Sequence, residues 1–209
     1  MKKILIAGTG GFSKEVLMIA HDLGILDEIE GFVEPDGLIR EGSVPKQLLG
    51  KPVFPYSFID RDKHKISLAI GNSIIREKIV KTQLPAGIEF QNFIHPSAII
   101  SPWVELGTDV IVCAGTIITC DIKIGNHCHF NLNTTVGHDC VINDFFTTAP
   151  NVNISGNCTF ENHVYLGTNS ILKQGLEIVE KVTVGMGAVV TKSITESGVY
   201  IGSPAKKMK

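Results

Sequence analysis

The sequence lacks several features that would assign it to a familiar class of protein. No apolar run is long enough to cross a membrane, and a net charge of −2 leaves no basic excess for binding nucleic acid. No two cysteines have the Cys-x-x-Cys spacing of many zinc sites. The apolar start reaches Gly8 too soon for a secretory signal peptide. We therefore expect a cytoplasmic protein with reduced cysteines, no nucleic-acid partner and no membrane span.

The composition of the chain changes near residue 90. Before that point, Lys, Glu, Asp and Leu occur in runs typical of helices. After it, Ile, Val, Gly, Asn, Thr and Cys dominate, and long helical periodicity disappears. We predict two domains, residues 1–90 and residues 91–209.

Strands and helices are predicted to alternate in the first domain. Apolar runs indicate buried strands at Lys3–Ala7, 29–33 and 67–70. Apolar residues at helical spacing indicate helices over 13–23 and 73–83, the second with its inward face formed by Ile75, Ile79 and Val80. This alternation predicts a Rossmann-like parallel sheet.

A glycine turn follows the first strand. Gly8 and Gly10 fit the first two positions of a dinucleotide-binding fingerprint, but Ser13 occupies the third glycine position. The turn still places backbone N–H groups at a helix N-terminus, where a phosphate can bind. A tight turn with no ligand is an equally good interpretation. Glu34, at the end of the second strand, is placed to accept from a ribose or sugar hydroxyl, although from these residues alone an ordinary solvated acid is the better interpretation.

Apolar residues recur at every sixth position through the second domain. Thr148 is the one member of this series that is not strongly apolar, and no insertion breaks the register. A period of six fits neither a helix nor an alternating strand. It predicts a hexapeptide-repeat β-helix of roughly five coils, with three hexads in each coil. The series is Ile94, Ile100, Leu106, Val112, Ile118, Ile124, Phe130, Val136, Ile142, Thr148, Ile154, Phe160, Leu166, Leu172, Ile178, Val184 and Val190.

The repeat also accounts for three cysteines. Cys128, Cys140 and Cys158 fall on the small inward position that follows each aliphatic residue, so we interpret them as core residues. Cys113 and Cys120 have no second cysteine at zinc-binding spacing.

His138 lies two residues after the inward Val136, so its side chain is expected to face outward. Asp139 beside it can orient the imidazole, which makes a general base one interpretation and a solvated surface pair the other. Metal ligands on a β-helix should stack about eighteen residues apart. In that register His127 stacks on Phe145 and not on another histidine, so a metal site within one coil stack is disfavoured. Ligands that cross a subunit interface are the alternative.

Several stretches in order along the chain resemble the sialic acid O-acetyltransferase group. This group includes the nucleotide-aminosugar N-acetyltransferases of the bacillosamine and perosamine pathways. The resemblance covers nearly the whole chain, and its most specific parts are the His-Asp-Cys stretch and the terminal Gly-x-Pro-Ala-Lys. The matching residues are 8–16, 69–72 with Arg76, 94–98, 133–134 with 137–140, and 202–206.

The resemblance implies a fold, an activity and site residues. The fold is a Rossmann-like domain that binds a nucleotide sugar, followed by a left-handed parallel β-helix. The assembly is a homotrimer with active sites between neighbouring β-helices, and the acetyl donor is acetyl-CoA, with no metal. His138 matches the general base and Asp139 its supporting acid. Substrate contacts match Gly10, Gly11, Phe12, Glu34 and Gly71, and coenzyme contacts match Thr147, Thr168 and Met186.

Two positions depart from the relatives. Phe12 stands where many have histidine or another polar ring, and Thr147 stands where some have a second histidine near the thioester. The second departure implies that the thioester is held by the Thr147 hydroxyl or by backbone N–H groups.

The sequence thus predicts an acetyl-CoA-dependent N-acetyltransferase that acts on a nucleotide-linked 4-amino-4,6-dideoxy sugar. O-acetylation of a sialic-acid-type sugar by the same residues is the alternative. A non-catalytic β-helix scaffold is less consistent with the outward His–Asp pair. A nicotinamide-dependent oxidoreductase is disfavoured by Ser13 and by the absence of a hydride-site layout in the second domain.

Overall fold

The structure is a computed structural model that describes residues 2–208. The chain forms two compact units that divide between Pro96 and Ser97. The boundary predicted from the sequence lies at residue 90. None of the helices in residues 2–208 combines the length and the hydropathy needed to cross a membrane.

The first unit contains a sheet with helices in its connections. Its sheet has the order β3-β4-β2-β1-β5-β6, and all pairings are parallel except β3 with β4. Short 3₁₀ turns lie at Leu26–Glu28 and Tyr56–Phe58. The elements in chain order are β1 (Lys3–Ala7), α1 (Gly11–Asp22), β2 (Ile29–Glu34), α2 (Asp36–Arg40), β3 (Gln47–Leu48), β4 (Lys51–Pro55), β5 (His64–Leu68), α3 (Ser73–Thr82), β6 (Glu89–Phe90) and β7 (Phe93–Ile94).

Strand β1 lies at the centre of this sheet and pairs with β2 on one side and β5 on the other. Its residues from Ile4 to Ala7 are all buried, as expected for a parallel strand covered on both faces. The Rossmann-like arrangement predicted from the sequence is confirmed. The third predicted strand, 67–70, is displaced: pairing with β1 begins at His64 and ends at Leu68.

Helix α3 corrects one prediction about its inward face. Ile79 is buried and Val80 half-buried, but Ile75 is 48% exposed. Arg76, the next residue, is fully buried instead, because its guanidinium reaches back to the turn before the helix. A polar residue with well-placed acceptors therefore takes the inward position that hydrophobicity alone assigns to isoleucine.

The second unit is a parallel β-helix with three faces, which we number 1 to 3. Face 1 contains Ile111–Val112, His129–Phe130, Thr147–Thr148, Tyr165–Leu166, Val182–Val184, Gly198–Ile201 and the antiparallel Lys206–Lys207. Face 2 contains Ile99–Ile100, Ile117–Ile118, Thr135–Val136, Asn153–Ile154, Ile171–Leu172 and Val189–Val190. Face 3 contains Val104–Leu106, Ile122–Ile124, Val141–Ile142, Thr159–Phe160 and Glu177–Ile178.

The six-residue ladder fills the interior of this unit. Every member from Val112 to Val190 is buried, which confirms the predicted repeat. Ile100 and Leu106 are only half-buried because their strands are the last ones on faces 2 and 3. Thr148 fits the apolar interior since its hydroxyl lies 2.8 Å from that of Thr134 and accepts from the Asn131 N–H at 3.0 Å.

Left-handed backbone at the turns keeps the coils in register. On the edge between faces 2 and 3, the residues with positive φ are Asp121, Asp139, Asn157 and Gly175. Asp and Asn tolerate this conformation better than other side chains, apart from glycine. Asp139 thus has a backbone role in the turn besides any role of its carboxylate.

Candidate active site

His138 lies on the edge between faces 2 and 3, and its side chain points outward as predicted. The imidazole is 53% exposed, and its Nδ1 lies 2.5 Å from Oδ2 of Asp139. A hydrogen bond at Nδ1 fixes the ring and leaves Nε2 available on the other side. The predicted pair is therefore assembled in a form that can accept a proton.

Gly156 lies one coil beyond His138 and makes room for the imidazole. A Cβ atom at Gly156 would come within 2.8 Å of both Cε1 and Nε2 of His138, and within 2.9 Å of its carbonyl oxygen. No acceptor for the Gly156 N–H is found among residues 2–208. This edge thus presents an exposed imidazole directly beside a backbone amide group.

The cysteines near this edge are not exposed nucleophiles. Cys128, Cys140 and Cys158 are fully buried, in agreement with their predicted inward positions. The neighbouring Cys158 sulfur and burial both raise the pKa of Cys140, which keeps that thiol protonated. Cys113 is also buried, whereas Cys120 is exposed.

The three residues matched to coenzyme contacts lie elsewhere on the β-helix. Thr168 and Met186 are exposed on the edge between faces 1 and 2, one coil apart, with the Gly187 N–H donating to the Thr168 carbonyl at 2.8 Å. Thr147 is buried on face 1. Within one chain, the β-helix therefore places none of the three on the edge that carries His138.

The five residues matched to substrate contacts converge in the first unit. Gly10, Gly11, Phe12, Glu34 and Gly71 all line one cavity of about 440 Å³. The cavity lies where β1, β2 and β5 end, since residues 8–12 follow β1, Glu34 ends β2 and residues 69–71 follow β5. Ligands bind outside the carboxyl ends of strands in open parallel sheets, so this is the expected place for a binding pocket.

The α1 end of the cavity can receive an anion. Gly10 is the N-cap of α1, provides no side-chain cap, and is followed by no acidic residue in the first turn. The N–H groups of the first turn of a helix point away from its body, and they give this end of α1 a positive potential. Ser13, at the third glycine position of the fingerprint, is fully buried and closes the turn by donating to the Gly10 carbonyl at 2.7 Å.

Buried Arg76 holds the opposite wall of the cavity. Its Nη1 donates to the carbonyls of Ile70 at 2.8 Å and Gly71 at 3.1 Å. The Asn72 side chain caps α3 by accepting from the N–H groups of Ile74 and Ile75. The turn that includes Gly71 is thereby fixed from both sides.

Sequence reasoning missed Tyr56, Thr9 and the space at Gly156. Tyr56 follows β4 and lines the cavity, but nothing in its sequence surroundings indicates this. Thr9 donates to Oε1 of Glu34 at 2.7 Å. The repeat places Gly156 next to His138 because the two are eighteen residues apart. The close approach of Gly156 to the imidazole is seen only in the structure.

Two histidines of the β-helix, His127 and His163, belong to a stack of rings. His127 stacks on Phe145 with centroids 4.9 Å apart, as the register predicts, and Phe145 stacks on His163 at 5.1 Å. Within residues 2–208, no group of three or more His, Cys, Asp or Glu side chains is placed to hold a metal ion.

Comparisons with known proteins agree with this architecture. The PglD N-terminal domain family matches residues 3–83. The chain is 33% identical over 114 residues to GDP-perosamine N-acetyltransferase from Escherichia coli O157:H7, a match covering 54% of this chain and 52% of that protein. The chain thus spans about half the length of this curated relative.

Two solved structures match over their whole length. WeeI from Acinetobacter baumannii AYE is 33% identical with a TM-score of 0.89, and the match covers 100% of both chains. PerB from Caulobacter crescentus, solved in complex with CoA and GDP-perosamine, is 28% identical with a TM-score of 0.89, covering 100% of this chain and 98% of that one.

A Rossmann-like unit followed by a hexapeptide-repeat β-helix with an outward His–Asp pair is the architecture of a two-domain hexapeptide acyltransferase. The chain belongs to the hexapeptide acyltransferase family, in the group with a PglD N-terminal domain.

Proposed function

We propose that the protein is an acetyl-CoA-dependent N-acetyltransferase that acts on the amino group of a nucleotide-linked 4-amino-4,6-dideoxy sugar. The observation that carries this proposal is the exposed His138 imidazole, held by Asp139 and lying beside the Gly156 amide. Support comes from PerB, whose structure contains CoA and GDP-perosamine.

The first unit supplies the nucleotide-sugar pocket in this proposal. The start of α1 offers backbone N–H groups to the diphosphate, and Glu34 accepts from a ribose hydroxyl at the end of β2. Gly10 and Gly11 carry no side chain at this point, so the backbone is accessible to the diphosphate. Phe12 and Gly71 complete the walls.

His138 acts as the general base. The neutral amine of the sugar attacks the acetyl carbonyl carbon, a C–N bond forms, the C–S bond breaks, and Nε2 of His138 takes the proton that the nitrogen loses. When Nδ1–H donates to Asp139, the neutral imidazole has the tautomer in which Nε2 carries the lone pair. Protonated His138 passes the amine proton to the departing CoA thiolate, so the products are an acetamido sugar and CoA with a free thiol, and the base is regenerated. No cysteine is used as an acyl carrier.

The Gly156 N–H stabilises negative charge that develops on the acetyl oxygen. It lies beside the base and has no acceptor among the described residues, so it can donate without losing another hydrogen bond. A preorganised backbone donor of this kind is worth about 10²–10³ in rate in other acyl-transfer enzymes.

The coenzyme contacts require more than one copy of the chain. Acetyl-CoA supplies the acetyl group, and Thr168 and Met186 are exposed on an edge where an extended coenzyme could bind. Because His138 lies on a different edge, we place the active site between β-helices of a homotrimer, with Thr147 close to the thioester. Exposed apolar side chains on face 2, such as Ile99 and Ile117, support contact between copies.

Solution mass tests the trimer. Light scattering coupled to size exclusion should give three times the chain mass of 22.6 kDa. A mass of one chain at micromolar concentration would contradict the shared site. We place the protein in the cytoplasm, where its five cysteines stay reduced.

An acceptor panel tests the reaction. UDP-, dTDP- and GDP-linked 4-amino sugars are compared with sialic acids, and release of the free CoA thiol is measured. We expect turnover with at least one nucleotide-linked amino sugar and none with sialic acids. Turnover with sialic acids alone would instead support O-acetylation. No thermal shift with acetyl-CoA and no turnover with any acceptor would favour the scaffold.

A further inference from the structure

Tyr56 places an unpartnered hydroxyl at the cavity of the first unit. The residue begins the 3₁₀ turn after β4, is 7% exposed, and packs with Leu5, Val33 and Leu68. Among residues 2–208, its hydroxyl is closed to solvent and has no hydrogen-bond partner. Buried hydroxyl groups are normally paired, so the missing partner is one that a ligand can supply.

Glu34 lies near this hydroxyl and lines the same cavity. One of its carboxylate oxygens, Oε1, accepts from the Thr9 hydroxyl at 2.7 Å, which leaves Oε2 for another donor. Burial and the charge of Glu34 raise the pKa of Tyr56 well above its usual range. The phenol is therefore protonated at physiological pH and can act as a donor.

A donor and an acceptor at one place define the chemistry of the group that binds there. The Glu34 carboxylate can only accept a hydrogen bond, and the Tyr56 phenol donates one. A ligand hydroxyl can donate to the carboxylate and accept from the phenol at the same time. Glu34 ends the strand beside β1, which is where sheets of this type bind the 2′-hydroxyl of a ribose.

We propose that Tyr56 and Glu34 together bind the ribose 2′-hydroxyl, so that the cavity selects ribonucleoside diphosphates over their 2′-deoxy counterparts. This inference rests on the proposed function and adds the nucleotide class to it. The Tyr56 hydroxyl is closed in the free chain, so the cavity must adjust as the ribose enters.

Matched nucleotide pairs test the selection. The full-length protein is titrated calorimetrically with UDP against 2′-deoxy-UDP and with GDP against 2′-deoxy-GDP. We expect the ribonucleotide of at least one pair to bind about tenfold more tightly, as loss of two hydrogen bonds implies. Equal affinities in both pairs, or no binding of any of the four at millimolar concentration, would overturn the inference.

Tyr56→Phe tests the residue. The substitution should weaken binding of the ribonucleotide by about fivefold and leave binding of the 2′-deoxynucleotide unchanged. The ratio of the two affinities should therefore fall. The melting temperature of the free protein should not fall, because the hydroxyl that is removed has no partner there. A lower melting temperature with unchanged binding would assign the hydroxyl a structural role. Tyr200→Phe, in the β-helix, is the control and should leave both affinities unchanged.

These outcomes are independent of the reaction itself. If no acceptor is acetylated but the ribonucleotide preference depends on Tyr56, the proposed function fails and the pocket assignment stands. If acetylation occurs while UDP and 2′-deoxy-UDP, and GDP and 2′-deoxy-GDP, bind alike, the function stands and this inference fails.

Discussion

The two units of this chain bring functional residues together in opposite ways. In the first unit, Gly10, Glu34 and Gly71 are far apart in sequence but line one cavity, because a parallel sheet collects the carboxyl ends of its strands. In the β-helix, residues meet only when they are near in sequence or one coil apart. His138 and Met186 differ in their position within the coil, so they lie on different edges.

In the proposed function, this difference assigns nucleotide binding to the first unit and the acyl transfer to the β-helix. A sheet can build a complete nucleotide pocket within one chain. In a β-helix with three faces, residues one coil apart stack along the same edge. A site that combines residues from two edges must therefore use two copies of the chain. The four predictions below test this contrast, in order of decreasing expected effect.

The largest effect should come from breaking the ladder. Ile178→Ala removes a buried side chain and should lower the free energy of unfolding by about 2–5 kcal/mol. Glu177→Ala, the adjacent exposed residue, should change it by less than about 0.5 kcal/mol. Denaturant unfolding measures both. Similar losses of unfolding free energy for the two variants would contradict the assignment of every sixth residue to the interior.

Gly156→Ala tests the stacking of neighbouring coils beside the base. Its Cβ would displace the His138 imidazole and press on its carbonyl, so kcat should fall by about 10²-fold, as for a 1 Å misplacement. Nucleotide affinity, a property of the other unit, should not change. Gly37→Ala, where a Cβ meets nothing within 4 Å, is the control. A variant with wild-type kcat would show that the ring position does not matter.

Arg76→Lys tests whether the cavity of the first unit serves binding of the nucleotide sugar. Lysine cannot reproduce the guanidinium contacts with the Ile70 and Gly71 carbonyls, so KM for the nucleotide sugar should rise about tenfold. At saturating substrate, kcat should stay close to that of the wild type. A fall in kcat with KM unchanged would mean that this wall serves the chemistry and not the binding.

The smallest effect is expected for Asp139→Asn. The His138–Asp139 pair is half-exposed, and such pairs contribute about 0.2–1 kcal/mol, so kcat should fall by no more than about fivefold. Asn keeps the left-handed turn that Asp139 adopts, which separates the carboxylate from the backbone role. A loss of a hundredfold or more would show that the pair is shielded from solvent during catalysis.

Most of the fold could be predicted because it depends on periodicity. The apolar ladder at every sixth position determines the β-helix, and β1 with its glycine turn indicates the Rossmann-like sheet. Hydrophobicity favours Ile75 as the inward residue because it cannot show that the Arg76 guanidinium donates to the Ile70 and Gly71 carbonyls. Hydrophobic periodicity can be read from the sequence, whereas the hydrogen bonds that hold a buried guanidinium require coordinates.

The candidate site was predictable to a different extent in each unit. His138 was assigned outward from its place in the hexad, and the side-chain exposure agrees. Tyr56 had no signal, since a 3₁₀ turn after β4 is not periodic and its contact with the cavity depends on how β2 and β4 pair. The catalytic and binding roles of all these residues remain predictions.

Turnover by His138→Asn tests the central claim most directly. The control is His21→Asn, because His21 is also followed by an aspartate and its Nδ1 lies 2.8 Å from Asp22, but on helix α1. With acetyl-CoA and the preferred amino sugar, we predict that His138→Asn lowers kcat by about 10²–10⁴-fold and that His21→Asn leaves it unchanged. Wild-type turnover by a folded His138→Asn variant would contradict the account.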